Sequence, residues 1–444
     1  MAQRRIAFYG DDFTGSTDVM ESLAMNGVET ALFLGIPDAG LLADFAHCAA
    51  IGLAGTSRSQ SPGWMDDNLP SAFTFLHSQN ADYCHYKICS TFDSSPQTGN
   101  IGRAIEIGKR VFSQTCVPLI VGAPQLKRYT AFGQLFADYR GKTYRIDHHP
   151  VMSRHPVTPM READLLVHLG EQTSLAIALA DLALVDREDM DDAVDALLAH
   201  NPGIVLFDVA NKRSQRCAGA QLARLRKDAP MFVAGSSGVE YALIEHWRQT
   251  GTLPQRPEFA APAPVKQLIV ISGSCSPTTE GQIRHALSNG FGGVALDAVS
   301  LAKPDAAEAI ERAIQSARNV MNQGSSPLLY TALGPQSDQS GQLGEVAGAR
   351  HCLGQNLGKI AKAIVGISAS KRLVIAGGDT SSHALGELAI KALTLLMPLP
   401  QSPGSPLCLA HGNRGSIIRL EIALKGGQVG KPSYFTDMRD GTFG

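Results

Sequence analysis

What most constrains this chain is a unit repeated along it: a short apolar run, a turn rich in glycine, serine or aspartate, then a helical pattern. Arg5–Tyr9 leads into Gly10-Asp11-Asp12-Phe13-Thr14-Gly15-Ser16, after which Val19, Met20, Leu23 and Ala24 share one helix face. Asn26-Gly27 ends that helix, and Glu29–Leu34 reads as the next strand. Ala50–Ala54, Tyr83–Lys87, Leu119–Val121 and Ile204–Phe207 read as further strands, and Ile101, Ala104, Ile105 and Val111 mark a helix. The pattern resumes later, with strands at Leu268–Ile271, Gly293–Leu296, Leu328–Thr331 and Leu373–Ala376 and a helix at Thr279–Leu287. Asp305 and Glu308 read as a capping box before a helix carrying Ile310, Ala313, Ile314 and Ala317. Such alternation predicts an α/β fold of two domains, each with a largely parallel sheet flanked by helices. Pro254, Pro257, Pro262 and Pro264 suit neither helix nor strand, so the expected division is 1–250, a linker at 251–266, and 267–444.

Charge and apolar patterning narrow the function classes. Lys plus Arg is 39 and Asp plus Glu is 41, a balance unlike a nucleic-acid coat or a polybasic membrane tether. The richest apolar stretch, Leu175–Val185, is broken by Asp181 and too short to span a bilayer. No cleavable leader pattern follows Met1, and the 8 cysteines form no CxxC pair. A cytoplasmic enzyme is expected, acting on small molecules without nucleic acid or membrane. A homodimer is expected only from the general frequency of such assemblies.

Open α/β sheets bind ligands beyond the carboxyl ends of their strands, which directs attention to the turns. In Asp11-Asp12-Phe13-Thr14-Gly15, two carboxylates stand beside a hydroxyl and a helix start. They can take hydrogen bonds from substrate hydroxyls, and one can act as a general base. The same residues suit an acidic helix start that complements the dipole. Ser272-Gly273-Ser274-Cys275-Ser276-Pro277-Thr278-Thr279 and Gly377-Gly378-Asp379-Thr380-Ser381-Ser382 offer small residues, N–H groups and hydroxyls that suit a phosphate. Asp379 can orient a magnesium-bound water. Lys425-Gly426-Gly427-Gln428-Val429-Gly430-Lys431 is not a P-loop, because Pro432 stands where Ser or Thr is needed and the glycine spacing is too short.

Cations near these turns suit an anionic substrate: Arg58 in Thr56-Ser57-Arg58, Lys87 before Ser90-Thr91, and Arg128. Asp147-His148-His149, with His155 nearby, admits an alternative, a Zn- or Mn-dependent phosphoesterase. A non-catalytic sensor of nucleotide or sugar acid is the other alternative.

Taken in order, these turns resemble the four-carbon acid sugar kinases over nearly the whole chain. Asp11–Gly15 is similar to that family's substrate-domain signature, and Thr56-Ser57-Arg58 and Lys87 fall where it has a Thr/Ser-Arg step and a Lys-led motif. Ala234-Gly235-Ser236-Ser237-Gly238 resembles the segment that closes the first domain. Gly273–Thr279, Gly377–Ser381 and Lys425-Gly426-Gly427 resemble its ATP-contacting turns. The resemblance implies a Mg2+- and ATP-dependent kinase. Asp12 would be the catalytic carboxylate, and Asp11, Thr14, Arg58 and Lys87 would bind the sugar acid. Ser274, Gly377, Gly378, Asp379, Thr380 and Gly427 would line ATP, with no protein metal site. Two departures stand out. The family's Asp-Ser-Thr and Arg-Gly steps are replaced by Cys89-Ser90-Thr91-Phe92-Asp93 without the Arg, and Gly427-Gln428-Val429-Gly430 replaces Gly-Asn-Phe-Gly. The first lies in the sugar-acid site and leaves the acid open among threonate, erythronate, a 3-oxo-tetronate and an oxo-isoapionate.

Overall fold

The computed structural model describes residues 3–155, 157–185, 187–227, 230–337, 348–399, 401–402, 404–412 and 420–443; the side chains of 379 and 381–383 also lie outside the described set. The chain forms two compact units, one of Met1–Asp38 with Leu42–Pro257, the other of Ala39–Leu41 with Glu258–Gly444.

In the first unit the strands run in the order Thr30–Phe33, Ala50–Ala54, Ile6–Gly10, Tyr83–Lys87, Met231–Gly235, Val117–Ile120, Ile204–Phe207, Ile177–Ala180. All pair in parallel. Continuous apolar runs such as Ile6-Ala7-Phe8 are fully buried, as a sheet covered on both faces requires. The register brings Gly10 level with Ala54 and Lys87, and Lys87 level with Gly235. The turns after these strands therefore emerge side by side at one edge. Leu175–Val185 is a strand, Ile177–Ala180, followed by the short helix Leu182–Val185. One element departs from the expected parallel pattern. Arg128–Ala131, Gln134–Tyr139 and Lys142–Arg145 form a separate antiparallel sheet. Its root is tied to the parallel sheet: Thr130 N donates to Val209 O at 3.0 Å, and Val209 N donates to Thr130 Oγ1 at 2.8 Å.

The second unit orders its strands Phe291–Ala295, Ser326–Tyr330, Ile269–Ser272, Arg372–Ala376, Leu420–Lys425, Leu407–His411, Ala392–Met397, of which the last two join antiparallel. Val270, Ile283, Leu328, Val374, Ala423 and Phe435 meet in its core. Ser272 lies level with Ala376, and Ala376 with Lys425, so three turns again share one edge. The later prolines of the linker stretch are held by this unit. Arg372, buried and paired with Glu421, donates to Ala263 O at 3.0 Å, and Val265 N donates to Arg439 O at 2.8 Å. The expected capping box at Asp305 is absent. The helix Ala307–Asn322 begins after Ala306, which leaves Asp305 outside the capping position, and Glu308 pairs with Arg312 instead.

Candidate functional site

Five sequence-selected residues of the first unit meet at the carboxyl edge of its parallel sheet. Asp11 and Asp12 follow the strand Ile6–Gly10, and the helix Phe13–Met25 starts at once. Asp11 N donates to Lys87 O at 2.8 Å and Arg58 N donates to Asp11 O at 3.0 Å, which fastens the three segments together. Asp12 is the helix N-cap, with extended backbone and Oδ1 accepting from Gly15 N at 2.7 Å. Its Oδ2 takes Arg58 Nη1 at 3.0 Å. Of the two carboxylates it is Asp12 that caps the helix, because the helix starts at Phe13. Thr14 stands half-buried in the first helical turn.

Asp11 is buried, and its Oδ1 has no hydrogen-bond partner among the described residues. Burial, then the neighbouring Asp12 charge, pushes its carboxyl up to about 7, against the opposing pull of Arg58 and Lys87. Lys87 is 3% exposed and donates to Ile88 O at 3.0 Å. Burial pulls its ammonium down, but Asp18, Asp11 and Asp12 outweigh burial and hold it above its ordinary value. Gly15 makes room for this cation: a Cβ there would sit 2.6 Å from Asp12 Oδ1 and 3.0 Å from Lys87 Nζ.

The residue that sequence reasoning does not select is Asp93. Its fully buried carboxylate takes Arg58 Nη2 at 2.7 Å and Nε at 3.2 Å, a two-pronged grip. Thr91 Oγ1 donates to it at 2.5 Å and Thr158 Oγ1 at 3.4 Å. Burial pushes Asp93 up, but Arg58 and Thr91 overcome it and hold the group below the usual carboxylate range. Arg58 is therefore clamped between Asp93 and Asp12. Phe92 at φ 57° makes the bend that aims Asp93 inward. Cys89, in place of the family's Asp, bonds Thr91 Oγ1 at 2.9 Å.

The metal reading of Asp147-His148-His149 does not hold. Asp147 is taken by Arg145 at 2.5 Å and 2.8 Å, the His148 side chain is 73% exposed, and His149 is buried. Among the described residues no three His, Cys, Asp or Glu side chains converge on a metal position.

In the second unit, the three glycine- and serine-bearing turns assemble at the aligned strand ends. Ser276 caps the helix Pro277–Leu287 and accepts from Thr279 N at 3.0 Å. Ser276 Oγ also donates to Gly427 O, which Thr279 Oγ1 reaches at 3.0 Å, while Thr279 Oγ1 donates to Ser274 Oγ at 3.1 Å. Gly377, at φ 121°, precedes the helix Gly378–Glu387 and donates its N–H to Lys425 O at 2.8 Å. A Cβ at Gly377 would lie 3.1 Å from Thr380 Oγ1, and one at Gly427 2.9 Å from Ser274 Oγ, whereas Gly378 faces open space. Thr380 is buried at 8% exposure; the Asp379 side chain lies outside the described residues. Lys425, which the sequence shows only as the start of a glycine turn, has no role assigned to it there. It is 1% exposed and donates to Thr279 Oγ1 at 3.1 Å, Gly426 O at 2.8 Å and Val429 O at 3.2 Å. Burial brings its ammonium down to about 7.

Comparison with known proteins fits this arrangement. Residues 6–243 match the family described as a sugar-binding N-terminal domain, and residues 269–435 match that described as a nucleotide-binding C-terminal domain. The chain is 42% identical to the 3-oxo-isoapionate kinase of Paraburkholderia graminis, over 98% of this chain and 94% of that one. It is 28% identical to the 3-oxo-tetronate kinase of Cupriavidus necator, over 96% and 94%. Two solved structures share the fold at 23% identity. One, from Haemophilus influenzae, has a TM-score of 0.74 over 98% of this chain and 100% of that one. The other, from Salmonella typhimurium, has a TM-score of 0.79 over 97% and 98%.

Proposed function

The chain belongs to the family that joins a sugar-binding N-terminal domain to a nucleotide-binding C-terminal domain, and from its 42% identity to a 3-oxo-isoapionate kinase we propose that it phosphorylates that branched 3-oxo sugar acid. It is a sugar-acid kinase, with the acid on the first domain and the nucleotide on the second. The observation that carries the mechanism is Asp12, held between the Gly15 N–H and Arg58 with its side chain 32% exposed. A substrate hydroxyl can reach it, whereas Asp11 lies behind it, buried.

Phosphoryl transfer needs positioning and charge stabilisation more than covalent chemistry. The hydroxyl oxygen attacks the γ-phosphorus, the bond from phosphorus to the bridging oxygen of ADP breaks, and the hydroxyl proton passes to Asp12. Arg58 fixes the direction of the Asp12 carboxylate, and Asp93 fixes Arg58. Lys87 offsets the crowd of Asp11, Asp12 and Asp18. Thr14 offers a hydroxyl to the acid. On the second domain Ser274, Thr380 and the backbone of Gly377, Gly378 and Gly427 suit phosphate oxygens. The N–H groups would hold phosphate oxygens, and the Ser274 and Thr380 hydroxyl oxygens would hold Mg2+ or its waters were the ion bound. When bound, Mg2+ neutralises charge developing on the phosphates.

The test is ADP release with Mg-ATP across four- and five-carbon sugar acids and their 3-oxo forms. Turnover restricted to 3-oxo-isoapionate is the expected outcome. Turnover with 3-oxo-tetronate alone would move the substrate to the other relative's acid. No turnover with any acid would end the kinase reading.

A further inference from the structure

Two arginines serve the first domain's strand-end turns, and they are partnered differently. All three donor nitrogens of Arg58 are spent on Asp12 and Asp93. Arg128 has no carboxylate within ion-pair distance among the described residues. Its Nη1 donates to the Leu126 and Lys127 carbonyls at 3.0 and 3.2 Å, and its Nε is buried with no acceptor among the described residues. A buried donor left unpaired is costly, so a guanidinium in this state is one awaiting an acceptor.

His149 is the same kind of group. It is 4% exposed, and its Nδ1 accepts from Val151 N at 3.2 Å and Met152 N at 3.1 Å. Those two donors place the proton of the neutral ring on Nε2. Nε2 is buried, and the acceptor it faces is the Asp138 backbone carbonyl, outside close hydrogen-bond geometry among the described residues. The Tyr139 and Tyr144 rings flank it at 5.5 and 6.2 Å. The Arg128 charge is felt at the His149 ring, and Cys89 and Asp138 act on Arg128. Arg128 is placed by its backbone pairing with Ala123, just past the carboxyl end of the strand Val117–Ile120. The strand ends therefore carry opposite polarities, acceptors at Asp11 and Asp12 and the unpaired Arg128 Nε, and His149 follows the antiparallel sheet that Arg128 begins.

We propose that Arg128 and His149 form the subsite that takes the carboxylate of the sugar acid, with Arg128 Nε–H and His149 Nε2–H as its donors, while the hydroxyl end faces Asp11 and Asp12. This rests on the sugar-acid kinase reading. It gives Arg58 a different task from carboxylate binding, namely holding Asp12. Cys89 borders the subsite as a neutral side chain where a carboxylate would repel the substrate's own.

The experiment compares full-length wild type with Arg128→Ala, Arg128→Lys and His149→Asn, using the acid that the wild type phosphorylates and the carboxamide of the same acid. The His149→Asn change keeps an acceptor for the Val151 and Met152 N–H groups and removes only the Nε2 donor. Arg128→Ala is expected to raise KM for the acid about 10- to 100-fold, the loss of charge-assisted hydrogen bonds, with KM for ATP unchanged. Its preference for acid over carboxamide should collapse. Arg128→Lys keeps the charge without the Nε donor and should fall between, and His149→Asn should raise KM about threefold to tenfold. Retention of the acid-over-carboxamide preference in the two Arg128 variants, with wild-type ATP affinity showing that they fold, would overturn the subsite. Failure of the wild type to phosphorylate any acid would instead overturn the kinase reading beneath it.

Discussion

The two candidate ligand edges of this protein are built from different materials. In the first domain the edge is made of side-chain charge: Asp11, Asp12, Arg58, Lys87 and Asp93, each positioned by another. In the second it is made of glycine backbone and hydroxyls, and its buried cation, Lys425, spends its hydrogen bonds on Thr279 and two carbonyls. The contrast follows from what each edge must do. An acceptor hydroxyl must be oriented and relieved of a proton, which needs a carboxylate held at a fixed angle. Phosphates need many donors at close approach, which backbone N–H groups and small residues supply. The first edge should therefore be sensitive to changes that preserve shape but remove charge, and the second to changes that preserve charge but add a Cβ.

The largest effect should come from Asp12→Asn. It keeps the helix cap acceptor and loses the proton acceptor, so kcat should fall about 10²- to 10⁴-fold with ATP affinity retained. The matched Asp11→Asn measurement separates the two carboxylates: a greater loss there would move the base to Asp11. On the second edge, Gly377→Ala places a Cβ at φ 121° and 3.1 Å from Thr380 Oγ1. Backbone strain of roughly 1–3 kcal/mol should weaken ATP binding about tenfold or more in calorimetric titration, with sugar-acid affinity intact. Equal sensitivity of both ligands to this change would erase the contrast. Asp93→Asn sharpens it from the other side. Arg58 loses its fixed anchor, so kcat should drop about tenfold, while Asp93→Glu recovers part of the loss.

The smallest effects are in stability, and the two edges carry opposite signs. Asp11, raised by burial to about 7, holds more protons folded than unfolded between its ordinary 3.8 and 7. Stability from this group is full below 3.8 and is lost as pH rises through 7. Asp11→Asn should therefore raise the melting temperature at pH 8 more than at pH 4. Lys425, lowered by burial from 10.5 to about 7, holds fewer protons folded than unfolded in that interval. Its contribution should grow as pH rises from 7 to 10.5. Melting curves of Lys425→Met should lack that rise.

Much of this is readable in the sequence because strand-end turns carry local signals. Asp12, Arg58 and Lys87 stand out as polar residues at or just after the ends of apolar runs, and the parallel register brings them together. The identity of the cap is not readable, since Asp11 and Asp12 differ by one residue and helix starts are set by tertiary fit. Asp93 escapes notice because it follows no strand directly; its aim depends on the left-handed Phe92. The antiparallel sheet from Arg128 to Arg145 is hidden because its last strand, Lys142–Arg145, is mostly exposed and shows no apolar alternation. With it go the surroundings of Arg128 and His149. Lys425 looks like a surface turn residue, and only the fold reveals three acceptors around its ammonium.

In the reaction proposed for this protein, phosphate moves from ATP to a hydroxyl of a 3-oxo sugar acid. Phosphorus NMR of a reaction containing the protein, Mg-ATP and 3-oxo-isoapionate follows that transfer directly. The account requires a new phosphomonoester resonance that grows as the γ-phosphate signal fades, one for one, and that Asp12→Asn suppresses. Growth of inorganic phosphate in its place, at a rate indifferent to the acid, would contradict it.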